Sequence, residues 1–103
     1  MKLRKIAHSR SGDKGNDSTI SVIAYQPENY PILEKYVTVE HVKEFFSDIV
    51  KGEVIRYTLP NLGALNFVLH DSLSGGVSRS LALDVHGKAL SCAMLEIEIP
   101  DKF

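Results

Sequence analysis

Hydrophobic positions along this chain follow two periods, and the periods alternate. From Thr19 to Tyr25, Ile20, Val22 and Ala24 fall on one face of an extended segment, and Ser21, Ile23 and Tyr25 on the other, the pattern of a strand. Apolar side chains on both faces predict a central place in a sheet. Leu3 to His8 predicts a shorter strand with weaker alternation. Glu53 to Leu59 predicts another, with Ile55, Tyr57 and Leu59 alternating against Val54, Arg56 and Thr58 before Pro60 closes it. Arg79 to Val85 alternates cleanly, with Leu81, Leu83 and Val85 inward. His86-Gly87 then turns into a final strand through about Ile99, in which Leu95, Ile97 and Ile99 point one way and Glu96 and Glu98 the other.

Helical spacing fills the gaps between these segments. Asn29-Tyr30-Pro31 starts a helical turn, because proline is tolerated in the first turn of a helix. Thr38 is a good N-cap for a second helix through about Val50, with Val39, Val42, Phe45, Phe46 and Ile49 as its buried stripe. Lys51-Gly52 supplies a basic residue and a glycine to end it. Residues 61–73 read as a further helix, with Leu62, Leu65, Leu69 and Leu73 on one face, although Gly63 costs up to about 1 kcal/mol there.

The order strand, strand, helix, strand, helix, strand, strand predicts an α+β fold: a two-layer ferredoxin-like sandwich, with a mixed sheet of about five strands and two main helices on one face. Crossovers through helices make the second, third and fourth strands parallel, and the outer two add as antiparallel hairpins. Such an arrangement leaves one sheet face uncovered. Ile23 and Tyr25, with Cys92 and Met94, supply apolar groups there, which predicts a homodimer or larger assembly.

Composition narrows the class. A chain of 103 residues suits one domain, residues 1–103, and can bury roughly 60–70% of its unfolded surface. Hydrophobic residues at 44% against 24% charged argue against disorder. Twelve Lys+Arg against 13 Asp+Glu leave no basic footprint for nucleic acid. No apolar run approaches the roughly 20 residues of a membrane span, and the start of the chain lacks a signal-peptide core, so a cytoplasmic protein is expected. The single cysteine excludes an internal disulfide and a multi-cysteine zinc site. No cofactor is implied.

Candidate chemistry is concentrated in polar segments. In Ser9 to Ser18, Gly12 and Gly15 permit positive φ angles, so successive N–H groups can converge into an anion nest. Arg10 and Lys14 add charge, while Ser11 and Ser18 add hydroxyls. The segment is neither a Walker A loop nor a dinucleotide fingerprint, because its glycines have the wrong spacing and a strand follows. The plainer alternative is a solvated hairpin loop in which Asp13 and Asp17 make side-chain turns. A second cluster, Ser74 to Ser80, carries Gly75, Gly76, Ser78 and Arg79 and falls at the same predicted sheet edge. It either shares an anion site with the first or merely stops a helix.

Asn61 reads most simply as an N-cap, whereas Asn66 shares the buried leucine face and needs partners, either in a neighbouring loop or on a ligand. His8, His41, His70 and His86 lack the paired spacing of a zinc site. His70, Asp71 and Ser72 are adjacent in a predicted helix and diverge, so they cannot form a triad. Cys92 reads as a small packed residue. Lys14 is the only candidate acid or base, and nothing in the sequence lowers its pKa.

At these residues a family resemblance emerges. Ala7-His8-Ser9-Arg10-Ser11-Gly12-Asp13-Lys14-Gly15 resembles the "AxARSGDKG" signature of the AtuA-like ferredoxin-fold domain. That domain forms the C-terminal part of the acyclic terpene utilisation protein AtuA and also occurs as a stand-alone chain. Arg56 to Leu62 with Ala64 to Leu69, and Gly75 to Leu81 with Leu83-Asp84 and Gly87-Lys88, resemble its second and third blocks. Asn16-Asp17-Ser18-Thr19 departs from the small or polar run that members often carry there. The resemblance implies a ferredoxin-like α+β sandwich and an association with the breakdown of citronellol- and geraniol-type compounds through CoA thioesters.

Two functional readings follow. One is a non-catalytic accessory module that assembles with itself and with an AtuA-like partner in acyl-CoA or terpenoid catabolism. The other is an anion-binding or catalytic domain in which Arg10, Lys14 and Arg79, with Ser11, Gly12, Asp13 and Gly15, hold a CoA phosphate or a carboxylate. Asn61 and Asn66 would then orient a carbonyl.

Overall fold

The computed structural model describes residues 1–14, 17–47, 50, 52–70 and 88–100. Strands β1 (Ala7–Lys14), β2 (Asp17–Ala24), β3 (Val54–Leu59) and β4 (Ala64–Leu69) form one sheet in the order β1-β2-β4-β3. Helices α1 (Tyr30–Tyr36) and α2 (Val39–Phe45) lie between β2 and β3 in sequence, and α3 (Lys88–Met94) follows β4. All three pairings are antiparallel, so the described sheet has four strands and is antiparallel, not the mixed sheet of about five strands that was expected. The second and third strands run parallel, as the crossover through helices requires, but β4 lies between them. The predicted fourth strand, Arg79 to Val85, lies outside the described residues.

The first hairpin corrects the expected loop. Ser9 to Lys14 and Asp17-Ser18 are strand residues, paired from Ala7↔Ala24 to Lys14↔Asp17. Polar composition suggested a loop because β1 is an edge strand, half of whose side chains face away from the core. Gly12 sits inside that strand, and the one positive-φ glycine among the described residues is Gly63. The nest expected at Gly12 is therefore not formed; Gly15 lies outside the described residues.

Residues 61–73 do not form the expected helix. Pro60–Leu62 makes a short 3-10 turn, Gly63 closes it at φ 63°, and β4 begins at Ala64. The Gly63 N–H donates to the Pro60 carbonyl over 3.0 Å, which folds β3 and β4 into a hairpin that starts at Leu59↔Ala64. Leu65, Phe67 and Leu69 are buried at period two, so the leucine spacing that suited a helix also suits a strand. Likewise, Lys88–Met94 is helical, not extended. Its alanines, leucine and methionine are good helix formers, and Leu90 and Met94, four apart, are both buried. Beyond it, Leu95 to Ile99 runs beside the N-terminal segment, where Leu3 and Arg4 N–H donate to the Ile97 and Leu95 carbonyls.

Thr38 caps α2 as expected, its Oγ1 accepting the His41 N–H at 3.1 Å. The helix ends at Phe45, short of the expected Val50, and Phe45 is exposed while Val42 and Phe46 are buried. α1 is held at its carboxyl end by Arg56, whose Nη1 donates to the Glu34 and Val37 carbonyls at 2.9 Å each.

One core unites these pieces. Ile20, Val22, Leu65, Phe67, Leu69 and Val54 from the sheet share it with Tyr30 and Leu33 of α1, Val42 of α2, and Leu90 and Met94 of α3. The three described helices thus pack on a single sheet face. Met94 belongs to this core and Cys92 is exposed on α3, so neither lies on the opposite face, where they were expected.

Candidate functional site

The opposite face of the sheet is built by strand alternation. Because Ala7, Ile20, Val22, Leu65, Phe67 and Val54 point into the core, their sequence neighbours point away from it. The register lines these neighbours up in cross-strand rows. One row runs Arg10, Ser21, Asn66, Tyr57 across all four strands. The row on one side is His8, Ile23, Ala64, Leu59, and on the other Gly12, Thr19, Val68, Ile55. Asp17 and His70 stand at the far end, with Glu53 beside His70.

Aromatic and aliphatic groups crowd one end of this surface. Tyr25 is 58% exposed, Tyr57 52% and Leu59 38%, and in the adjoining 3-10 turn Leu62 is 70% exposed. His8 stacks on Tyr25 with ring centroids 5.2 Å apart and planes at 30°. The other end is polar. His70 Nδ1 lies 3.1 Å from Asp17 Oδ2, bridging β2 to the end of β4. At the centre, Asn66 Nδ2 donates to Ser21 Oγ at 2.9 Å. The partner that Asn66 was expected to need is therefore a strand neighbour. The β1 edge carries Arg10, and the β3 edge carries Tyr57 and the exposed Glu53.

Among the described residues, two titrating groups are displaced from their ordinary values, and neither is on this face. Burial pushes the Tyr30 phenol up; Glu34 adds to the rise, while Arg56 and the Thr58 hydroxyl oppose it. Hydrogen bonds to Glu96 and then Glu98 raise Lys2, whose Nζ lies 3.3 and 3.4 Å from their carboxylates. Among the described residues, no group of three or more His, Cys, Asp or Glu side chains gathers into a metal-sized cluster. No described helix is long and apolar enough to cross a membrane.

Of the residues singled out in the sequence, Arg10 and Asn66 come into one row. Ser11 alternates to the core side of β1, opposite Ile20. Asn61 is exposed in the 3-10 turn and makes no cap there. Asp13 and Lys14 close the first strand in register with Ser18 and Asp17. Gly15, Gly75, Gly76, Ser78 and Arg79 lie outside the described residues. Tyr57, Leu59 and Leu62 were not expected at an exposed surface. The signal for the first two was the alternation of Glu53 to Leu59, which sends one set of side chains away from the helices.

Residues 1–100 match the family model described as the AtuA ferredoxin-like domain. Neither a curated protein nor a solved structure matches the chain.

Proposed function

The chain belongs to the AtuA ferredoxin-like domain family, and from that premise we propose that it is a non-catalytic interaction module. It assembles with itself and with an AtuA-like partner, in the breakdown of acyl-CoA or terpenoid compounds. The observation that carries this reading is the exposure of Tyr25, Tyr57 and Leu59 at the sheet face free of the described helices, with Leu62 exposed in the turn between β3 and β4. Large apolar groups exposed together on and beside strands form the kind of patch that binding covers. Tyrosine in particular offers contact area at low entropic cost.

The test is capture of a purified AtuA-like chain by the wild-type domain and by Tyr57→Glu. The wild type is expected to retain the partner and the variant to lose it. Equal retention by both would remove this face from the interaction, and no retention by either would remove the partner.

A second reading is favoured by one observation, the shared row of Arg10 and Asn66. A guanidinium and an amide two strands apart, about 10 Å, suit the two ends of an anionic ligand such as a CoA phosphate or a carboxylate. Under this reading, CoA or phosphate raises the unfolding temperature of the wild type and fails to do so in Arg10→Ala or Lys14→Ala. A ligand at 100 times its dissociation constant adds about 2.7 kcal/mol.

A further inference from the structure

The sheet face free of the described helices has an order that selects its own partner. Read across the sheet from β1 to β3, its best-populated row is cationic, polar, polar, aromatic: Arg10, Ser21, Asn66, Tyr57. Reversed, the row becomes Tyr57, Asn66, Ser21, Arg10. Laid against itself in reverse, each member meets a group that it can bind. The guanidinium of one copy meets the tyrosine ring of the other, a cation–π pair. The Ser21 hydroxyl of one copy meets the Asn66 amide of the other. In the neighbouring rows His8 meets Leu59, Ile23 meets Ala64, and Thr19 meets Val68, so no like charges are opposed. At the polar end Asp17 meets His70, a pair that already lies 3.1 Å apart within one chain.

We infer that this face is covered by a second copy of the chain, related by a two-fold axis running along the strands between β2 and β4. The inference rests on the interaction-module reading and gives this face to a second copy, with which an AtuA-like partner then competes. A two-fold axis that turns one sheet over onto another can lie along the strands or across them. With the axis across the strands at the Arg10 row, β1 would cover β1 and the two Arg10 guanidiniums would be brought together. Along the strands, Arg10 of each copy covers Tyr57 of the other, with Glu53 four residues further along that edge. The Arg10–Tyr57 pairing therefore favours the axis along the strands, since like charges juxtaposed at an interface cost affinity. The resulting contact is isologous, as closed two-fold dimers require, and resembles the aligned face-to-face packing of two sheets about 10 Å apart.

Sedimentation equilibrium of the full chain and cross-linking between copies together test this. The wild type is expected to have dimer mass. Tyr57→Glu, at an exposed position that leaves the core untouched, is expected to weaken the dimer roughly tenfold or more with an unchanged far-ultraviolet spectrum. For the arrangement, Arg10→Cys and Tyr57→Cys are prepared separately in a Cys92→Ser background and treated with a short bismaleimide, each alone and as a mixture. The mixture is expected to give the 10–57 cross-link between copies, with little self-cross-linking by either protein alone. Strong cross-linking of Arg10→Cys to itself would overturn the axis. A monomeric wild type would overturn the second copy as occupant. If that monomer still captures an AtuA-like chain, the module reading stands without the dimer. If a dimer forms and captures nothing, the dimer stands without the partner.

Discussion

Asn66 donates its amide to Ser21 across the two central strands, 2.9 Å from nitrogen to oxygen, although the residues are 45 positions apart. This bond joins the first hairpin to the second at the middle of the open face, where it is only partly buried. A neutral, partly hydrated hydrogen bond contributes about 0.5–1.5 kcal/mol. Asn66→Ala is expected to lower the unfolding temperature by a few degrees, and Ser21→Ala to lower it similarly. Because both remove the same bond, the double variant should cost little more than either single one. Fully additive losses would show that the pair does not act as a unit.

Arg56 carries a larger share. Its Nη1 alone satisfies two carbonyls at the carboxyl end of α1, where the helix dipole also favours positive charge. Arg56→Met is expected to destabilise the fold by about 1.5–3 kcal/mol in urea unfolding. Arg56→Lys should recover only part of that, because an ammonium lacks the planar geometry of the guanidinium.

Three glycines separate space from backbone freedom. A Cβ at Gly52 would stand 2.7 Å from the His70 carbonyl oxygen, which also accepts the Gly52 N–H at 3.1 Å. Gly52→Ala therefore forces two backbones apart and is expected to cost about 1–3 kcal/mol. Gly63→Ala has open space but a φ of 63°, and about 1 kcal/mol of strain is expected. Gly12→Ala meets Thr19 Oγ1 at 3.4 Å, an ordinary contact inside a strand, and is expected to be tolerated. A large loss at Gly12 would contradict its place in a regular strand.

Alkaline pH is expected to destabilise the domain through Tyr30. Its phenol titrates above the ordinary 10.0 because burial disfavours the phenolate, so the folded state holds that proton more tightly than the unfolded chain. The stability from this group is complete below pH 10.0 and is lost as pH rises through the higher folded value. Lys2, raised above 10.5 by its carboxylate partners, acts in the same direction. Ultraviolet titration of the four tyrosines should show one ionising late, together with unfolding, and Tyr30→Phe should remove that late step. Simultaneous titration of all four would contradict its burial.

Much of the fold was legible where period and chemistry agreed. Thr19 to Tyr25 and Glu53 to Leu59 are β2 and β3 within a residue or two, and Thr38 caps a helix because its side chain and the following apolar spacing point to the same start. Legibility failed where two periods coincide. Leu65 and Leu69 are four apart in a helix and share one face of a strand, and it is Gly63, at positive φ after Pro60, that turns the chain into a hairpin. It failed again at β1, where an edge strand's outward residues read like a loop. The site inherited both errors. Asn66 belongs to the candidate surface through a strand register invisible to local patterning, and Arg10 through a strand that polar composition concealed.

The claim on which this account depends is that the sheet face bearing Tyr57 is an interaction surface. Oxidative footprinting tests it residue by residue in dilute protein, in concentrated protein, and with an AtuA-like chain added. Tyr57 and Leu59 are expected to lose reactivity on concentration or partner addition, while Phe45, exposed on α2 on the other side of the sheet, keeps its own. Unchanged labelling of Tyr57 and Leu59 under all three conditions would contradict the account.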